Sequence, residues 1–271
     1  MGASMISSLR ILGFAFIFIF GICSFAGCAP IDPASGNAKP VVPEIAAAGY
    51  QLAFSDEFNG TALDTNKWDY RTDSKALSTQ LPENVTVSDG SLHLLLKKET
   101  AHGKNYTGGG VISKQLFKYG YYEARFRIPS GAGWHTSFWT QKQDGSEGTG
   151  TKAATQEIDI CEQNSRNPAE YSTGVRNWLN KGKSYGQKYL KTSDLSTDFH
   201  IWSCEFTPTV VKFFFDGKLT HLTDATLFPH GDQNIWLTSI GYTKVDDLRL
   251  PAVADFDYVR YYAPPNTTSP K

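Results

Sequence analysis

The sequence predicts an all-β protein, a two-sheet antiparallel β-sandwich. Short segments in which apolar and polar residues alternate are separated by turn residues, and no stretch of a dozen residues has a clean helical period. Aromatic residues make up 13% of the chain, which suits a β-rich protein and also a sugar-binding one. With 271 residues, of which 40% are hydrophobic, the chain has enough apolar material for one large domain.

The predicted strands follow one another at a spacing typical of a sandwich or a barrel, and we favour the sandwich. An Asp-Gly turn joins the first pair into a hairpin, and a Thr-Pro-Thr segment separates a later pair. The clearest strands lie at residues 85–88, 91–96, 119–128, 201–206, 210–215 and 256–262.

The N-terminal residues predict export. Arg10 precedes an apolar run over residues 11–25, which is shorter than the roughly 20 residues that cross a membrane. Small residues before Cys28 resemble a bacterial lipobox, so we interpret residues 1–28 as a lipoprotein signal peptide whose cleavage leaves a lipid on Cys28. The alternatives are an ordinary signal peptide and, in third place, a transmembrane anchor.

The remaining chain divides into three parts. Residues 29–48 are rich in Pro, Ala and Gly and predict a flexible tether, residues 49–263 predict the folded domain, and residues 264–271 predict a disordered tail. We expect a monomer in the bacterial envelope, held to the outer leaflet of a membrane by its lipid, or else a secreted protein. The formal net charge of −1 argues against a nucleic-acid partner bound by phosphate neutralisation.

Besides the lipidated Cys28, two cysteines remain after such processing, Cys161 and Cys204. In an exported chain they could form a disulfide, and two buried thiols fit the sequence equally well. Neither lies in a cysteine pair or a cysteine–histidine cluster with zinc-binding spacing.

One segment, residues 156–163, carries an unusual pattern of acids. On a strand Glu157 and Asp159 share one face, and the isoleucines between and after them share the other. Strict alternation would next place Glu162 in the core, where an unpaired carboxylate is costly. We therefore predict a β-bulge around Cys161 that returns Glu162 to the acidic face.

Three acids on one sheet face predict hydrolysis of glycosidic bonds, in which one glutamate attacks the anomeric carbon and another protonates the leaving oxygen. At about 3.3 Å of rise per residue, the backbones of Glu157 and Glu162 lie roughly 13 Å apart. Side chains that lean together would approach the ~5–5.5 Å of a retaining enzyme. Asp159 between them would favour a shared proton. The alternative is a strand whose acids face solvent.

The motif Glu-x-Asp-x-x-Glu over residues 157–162 resembles the bulged signature of glycoside hydrolase family 16. Other segments resemble the strands of that family in the same order over almost the whole domain. They lie at residues 54–60 with Trp68, 83–92, 112–114, 119–126, 133–139, 199–208, 215–218 and 257–261.

The resemblance implies a β-jelly-roll of the concanavalin A-like kind with a concave substrate cleft. It implies retaining, endo-acting hydrolysis of β-1,3 or β-1,4 linkages in a β-glucan or a galactan, with no cofactor for catalysis. Glu157 matches the nucleophile, Asp159 the assisting acid and Glu162 the general acid/base. The bulged motif resembles the laminarinase, agarase, porphyranase and carrageenase branches, whereas lichenases and xyloglucan transferases use the shorter form.

Some members of the family hold a structural calcium ion, and the resemblance extends that expectation to this chain. Its ligands in the family are a carboxylate near the C-terminus and backbone carbonyls from the first strands, and the matching positions here are Asp257, Glu57 and Gly90. Hard oxygen ligands suit calcium. The alternative for Asp257 is a salt bridge with a neighbouring base.

The chain departs from the family around the substrate. His135-Thr136-Ser137 stands where many laminarinases have Trp-Pro-Ala, residues 173–178 replace a common Gly-Thr-x-His, and Val111 stands where an arginine is usual. These differences leave the chemistry in place and put β-1,3-glucan specificity in doubt, so galactans stay open.

Residues beside the acids predict the sugar contacts. Trp139 comes first because an aromatic face stacks on the C–H face of a pyranose ring, and Phe138 must then face the core. Trp202 and Trp236 are expected to fill the core. The other predicted contacts are Trp134, Trp178, Asn84, His135, Arg176 and Asn177, of which the last two would bind a hydroxyl or a sulfate.

Two alternatives to hydrolysis stay open, each with a polysaccharide as the partner. A lectin-like carbohydrate-binding protein on the same fold would not need both glutamates, yet both are present. A transglycosylase would pass the same intermediate to a sugar instead of water.

Overall fold

The computed structural model describes residues 40–143 and 156–265. Within these residues seventeen strands follow one short helix, α1 (Pro43–Ala47). The strands are β1 (Gln51–Asp56), β2 (Trp68–Tyr70), β3 (Ser74–Lys75), β4 (Ser78–Gln80), β5 (Val85–Ser88), β6 (Ser91–Leu96), β7 (Tyr106–Ser113), β8 (Gly120–Arg127), β9 (Trp134–Gln141), β10 (Gln156–Asn164), β11 (Glu170–Asn177), β12 (Lys183–Lys191), β13 (His200–Phe206), β14 (Val210–Phe215), β15 (Lys218–Asp224), β16 (Asn234–Gly241) and β17 (Ala252–Ala263). Short 3₁₀ turns lie at Pro82–Asn84, Trp178–Asn180, Ala225–Leu227 and Asp247–Arg249.

The strands form two sheets, which confirms the predicted all-β sandwich. The front sheet has the order β12-β11-β10-β9-β16-β7-β4-β3, and β2 pairs with β7 beside that path. The back sheet has the order β15-β14-β13-β8-β17-β6-β5, and β1 pairs with β17. Neighbouring strands run antiparallel, apart from β4 and β7, which are parallel.

The sheets pack on one another through a shared aromatic core. In the back sheet Phe126 stacks on Trp202, with ring centroids 4.1 Å apart, and on Phe256, 4.7 Å apart. From the front sheet Phe138 and Leu237 enter the same core. Burying one such side chain stabilises the fold by about 1.5–3 kcal/mol. Since residues alternate across each strand, the neighbours of these core residues face outward.

The described end of the predicted tether packs against the outer face of the back sheet. Val42 and Ile45 are buried, and the backbone N–H of Val41 donates to Glu123 Oε2 at 2.9 Å. The packed domain therefore begins at about residue 40 rather than residue 49. The apolar cluster that holds this segment consists of Val42, Ile45, Tyr121, Phe214 and Tyr262.

The predicted signal peptide with Cys28 lies outside the described residues, as do residues 29–39 and 266–271. The two described residues of the predicted tail, Pro264 and Pro265, are exposed. Among residues 40–143 and 156–265, no helix is long and apolar enough to cross a membrane.

The two cysteines of the domain are free thiols. Cys161 of the front sheet and Cys204 of the back sheet are both fully buried in the core between the sheets. Burial raises the pKa of each thiol well above its ordinary value. Because the thiolate is the reactive form, these side chains serve as small core residues.

Candidate active site

The bulge predicted in β10 is present. Pairing with β9 slips by one residue between Asp159 and Cys161, and pairing with β11 slips between Asp159 and Glu162. Ile160 and Cys161 are consequently both buried in the core, and Glu162 returns to the outer face of the front sheet. The cost of burying a carboxylate is thus avoided by one extra residue.

The three acids of β10 meet around Arg176 of β11. Its Nε lies 3.4 Å from Glu157 Oε1 and 3.5 Å from Asp159 Oδ2, and its Nη2 lies 4.0 Å from Glu162 Oε2. The side chains of the acids are 12%, 3% and 20% exposed, in that order. One cation therefore bridges three carboxyl groups and reduces their mutual repulsion.

Glu157 is held in place by two neutral donors. Gln141 Nε2 and Trp178 Nε1 both donate to its Oε2, at 2.8 Å and 3.1 Å. Burial raises the pKa of Glu157 and the charge of Glu162 raises it further, whereas Trp178 and Arg176 oppose both effects. Two donors on one oxygen fix the orientation of the Glu157 carboxylate, and the other oxygen, Oε1, faces Arg176.

Asp159 is the most deeply buried of the three acids. Burial raises its pKa well above the ordinary value, and the charges of Glu162 and Glu157 raise it further. Its Oδ2 is buried, and no donor among the described residues reaches it in hydrogen-bonding geometry. A protonated Asp159 resolves this, since it can donate to Glu157, with which it is hydrogen-bonded. The pKa of Asp159 is raised more strongly than that of Glu157, so a proton held between the two acids is favoured on Asp159.

Glu162 is the most accessible acid. Its Oε1 lies 3.5 Å from His135 Nε2, and His135 Nδ1 lies 3.0 Å from Ser137 Oγ. Burial lowers the pKa of His135, although the charge of Glu162 opposes this effect, so the neutral imidazole is favoured. With long contacts and greater exposure, Glu162 is the acid best placed to exchange a proton with a substrate or with water.

A stacked pair of tryptophans lies beside the acids, and one member of the pair lines the cleft. Trp139 lines the cleft, and Phe138 lies in the core, as the alternation predicted. The Trp139 ring stacks on Trp236 with centroids 4.6 Å apart, and its Nε1 donates to Thr238 Oγ1 at 3.2 Å. Trp236 is fully buried, as expected, and it lies beside Trp139 outside the main cluster between the sheets, with Arg71 5.8 Å from its ring.

Of the other predicted sugar contacts, three line the cleft and three do not. Trp178, His135 and Arg176 line it together with the acids. Trp134 is 1% exposed and packs in a separate cluster with Leu96 and Ala252. It shares its face of β9 with Phe138, so its side chain is directed away from the cleft.

Asn84 and Asn177 have structural roles instead of lining the cleft. Asn84 is fully buried, and its Nδ2 donates to the carbonyl oxygen of Gly108 at 3.1 Å. The Oδ1 of Asn177 accepts from the backbone N–H of Asn180 at 3.2 Å, which caps the 3₁₀ turn after β11. Because Asn177 adjoins Arg176 on one strand, the two side chains must face opposite ways.

Sequence reasoning missed several cleft residues that come from distant parts of the chain. Alternation on β9 predicts one of them, Ser137, because it lies between His135 and Trp139. The others follow only from sheet order, which the sequence does not reveal. The missed lining residues are Arg71, Lys75, Ser137, Thr238, Ile240 and Tyr242.

Arg71 is a buried cation at the β3–β4 end of the cleft. Its side chain is 3% exposed, and its Nε and Nη2 donate to the two carboxylate oxygens of Asp73 at 2.6 Å and 3.0 Å. These bonds do not use Nη1, which can bind an oxygen of a substrate. Lys75 lines the same end of the cleft.

A salt bridge occupies one of the positions matched to a calcium site. The carboxylate of Asp257 is paired with Arg125, as the alternative for Asp257 predicts. The carboxylate of Glu57 is paired with Nε and Nη2 of Arg260 at 2.9 Å and 2.8 Å, and this pair does not involve the backbone carbonyl of Glu57. Among the described residues no three His, Cys, Asp or Glu side chains form a metal-binding group, a finding that does not bear on backbone-carbonyl ligands. Calcium binding stays a prediction.

Comparison with known families decides the assignment. A family model described as the GH16 domain of beta-porphyranases A–D matches residues 50–238. The chain belongs to glycoside hydrolase family 16. It is accordingly a glycoside hydrolase, and the predicted family, jelly-roll fold and enzyme class are confirmed.

The similar proteins include a beta-glucanase, a beta-porphyranase and a laminarinase of known structure. A beta-glucanase of Rhodothermus marinus is 29% identical over 252 residues, which cover 80% of this chain and 86% of the relative. Beta-porphyranase D of Zobellia galactanivorans is 38% identical over 108 residues, or 35% of this chain and 25% of the relative. The solved laminarinase of Rhodothermus marinus superposes with a TM-score of 0.68 at 27% identity, covering 79% of this chain and 97% of that one.

Proposed function

We propose that the chain is a retaining, endo-acting hydrolase of a β-linked galactan that carries anionic groups such as sulfate. The observation that supports the reaction is the convergence of Glu157, Asp159 and Glu162 on one guanidinium, in a cleft lined by tryptophan. Two glutamates with different surroundings suit the two roles that retaining hydrolysis requires.

In the first step Glu157 attacks the anomeric carbon while Glu162 donates its proton to the glycosidic oxygen. The bond between that carbon and oxygen breaks, the leaving sugar departs, and an ester to Glu157 remains. In the second step Glu162, now ionised, takes a proton from the attacking water, and Glu157 leaves as a carboxylate. Two displacements retain the β configuration.

Asp159 and Arg176 assist without bonding to the sugar. The proton on Asp159 is shared with Glu157, which steadies the nucleophile before attack and as it departs. The charge of Arg176 lowers the pKa of Glu157 and so opposes the effect of burial on it. Gln141 and Trp178 donate hydrogen bonds to Oε2 of Glu157, the oxygen farther from the Arg176 guanidinium.

The cations at one end of the cleft favour an anionic galactan. Arg71 and Lys75 both line the cleft, and Arg71 is held in place by Asp73, whereas a neutral glucan needs no positive charge. A planar guanidinium suits a sulfate oxygen. The match to a porphyranase-type family model agrees with this choice. The second candidate is a β-1,3-glucan, because the beta-glucanase relative aligns with most of the chain.

The test is hydrolysis of a polymer panel by residues 40–265. Laminarin, mixed-linkage glucan, agarose, porphyran and carrageenan are incubated with the protein, and products are separated by size and mass. We expect a sulfated galactan of the panel, carrageenan or porphyran, to be cleaved internally, with no turnover in Glu157→Gln or Glu162→Gln. Cleavage of laminarin alone would select the glucan candidate. Binding without cleavage of any polymer would favour the lectin alternative.

Azide rescue assigns the two glutamates. In Glu157→Ala azide replaces the nucleophile and should give the α-glycosyl azide. In Glu162→Ala it attacks the intermediate and should give the β-glycosyl azide. The reverse pairing of products would exchange the proposed roles. A leaving group that needs no protonation should restore the first step in Glu162→Ala but not in Glu157→Ala.

We also propose that the protein is exported, lipidated on Cys28 and monomeric. Support for the first two comes from the apolar run over residues 11–25 and the small residues before Cys28. Radiolabelled palmitate should be incorporated into the full chain in a bacterial host and not into a Cys28→Ser variant. Equal labelling of both would contradict lipidation. Light scattering measures the mass in solution.

A further inference from the structure

A second depression opens beside the acid cleft, across β10, β11 and β12, and we call it the side pocket. It shares Glu162, His135, Arg176 and Tyr242 with the cleft. Glu157 and Asp159 line the cleft and do not line the side pocket. The two spaces therefore meet at the proposed acid/base.

This arrangement sets the direction in which a substrate lies. The sugar attacked by Glu157 must contact both glutamates, so it occupies the cleft. The sugar that departs needs only the proton from Glu162. We propose that the side pocket binds this departing sugar and selects one without charge, with Tyr189 and Tyr242 as its platforms. The inference rests on the hydrolysis proposed above.

The two tyrosines offer exposed ring faces beside the pocket. Tyr189 of β12 is 68% exposed and Tyr242, just after β16, is 49% exposed. The Tyr242 ring packs against His135 with centroids 5.2 Å apart. This packing holds Tyr242 beside the contact between His135 and Glu162. A tyrosine ring has apolar faces and a polar hydroxyl at its edge. These features suit a sugar ring, which has C–H faces and hydroxyl edges.

The charges of the side pocket differ from those of the cleft. Arg176 is already engaged by three acids, and the pocket adds the carboxylate of Glu170 together with amides such as Gln187. Lys191 pairs with Glu170 in the strand register but does not line the pocket. A sulfate there would meet a carboxylate with no free cation, which disfavours it.

The test uses the partition of the glycosyl–enzyme ester between two acceptors. Either water or the hydroxyl of an added sugar can attack the anomeric carbon, with its proton passing to Glu162 and Glu157 leaving. Only the sugar needs the side pocket. The ratio of transfer to hydrolysis therefore reports on this pocket alone, since a loss in ester formation or in folding lowers both products equally.

The donor is the polymer that the panel identifies, and the acceptors are galactose, which is neutral, and galactose 6-sulfate, which carries its charge on the sugar that enters the pocket. Tyr189→Ala and Tyr242→Ala should each lower the transfer ratio for galactose by roughly 2- to 10-fold, the range expected for loss of one aromatic contact. Glu170→Gln should raise transfer to the sulfated acceptor relative to the neutral one by roughly 2- to 5-fold. The control is Leu222→Ala, an equally exposed apolar residue on β15 of the back sheet, which should leave the ratio unchanged.

The failures of the two proposals differ. Hydrolysis with unchanged transfer ratios in both tyrosine variants would overturn the side pocket and leave the proposed function standing. A preference for the sulfated acceptor in the unaltered protein would overturn its selectivity for uncharged sugar. Absence of turnover on every polymer would overturn the proposed function and the side pocket with it.

Discussion

Removing the guanidinium that bridges the acids should move the pH dependence of turnover. Glu157 attacks as a carboxylate, and Arg176 Nε lies 3.4 Å from its Oε1. In Arg176→Gln the favourable charge is lost, so the pKa of Glu157 rises. At a given acid pH a smaller fraction of Glu157 is then ionised, and the acid limb of the kcat/KM profile shifts to higher pH.

The size of this shift follows from distance and exposure. An opposite charge within about 4–6 Å lowers a carboxyl pKa by about 1–3 units. The Arg176 side chain is 32% exposed and is shared among three acids, so solvent screening and this sharing favour the lower end of the range. We expect a shift of about one pH unit, equivalent to about 1.4 kcal/mol.

Initial rates on the identified polymer, measured at low substrate concentration across the acid range, provide the profile. Arg176→Lys is the matched control, since it keeps a positive charge and loses the planar fork. It should recover much of the acid limb. A lower rate at every pH with the limb unmoved in Arg176→Gln would refute the electrostatic role and leave Arg176 as a substrate contact only. Circular dichroism would check that both variants are folded.

Three further outcomes are expected. Burial raises the pKa of Asp159 in the folded state, so the free energy of unfolding falls as pH rises through this raised pKa. Asp159→Asn should remove this fall and raise Tm at neutral pH. An unchanged pH dependence of Tm in Asp159→Asn would contradict the buried proton. Ile45→Ala should lower the free energy of unfolding by about 2–5 kcal/mol in urea while kcat/KM at room temperature is kept; no loss would mean that residues 40–48 do not contribute. Trp139→Ala should lower kcat/KM about tenfold relative to Leu222→Ala, and equal rates would exclude it as a sugar platform.

Alternation along strands accounts for what the sequence predicts of the site. It places Trp139 on the cleft face and Phe138 in the core, and both are found there. The cost of burying Glu162 predicts the bulge, which the register of β10 confirms. The same alternation, applied to all of β9, would have excluded Trp134 as a sugar contact. Alternation likewise excludes Asn177 as a sugar contact, because its neighbour Arg176 faces the cleft.

The remaining features depend on which strands become neighbours, and no local pattern encodes that. Arg71 reaches the cleft because β2 pairs with β7, which in turn lies beside β16. Tyr242 reaches it because β16 pairs with β9. The burial of Val42 in a Pro- and Ala-rich stretch likewise depends on an apolar surface formed by three back-sheet strands. Composition alone indicated a flexible segment there.

The docking of residues 40–48 has a consequence for how the enzyme meets its substrate. These residues lie on the outer face of the back sheet, and the acids lie on the outer face of the front sheet, so the full thickness of the sandwich separates them. A polymer many sugars long can therefore lie across the front sheet without meeting residues 40–48. Attachment of the protein to a surface through residues 40–48 would leave the site of cleavage turned towards the surrounding medium.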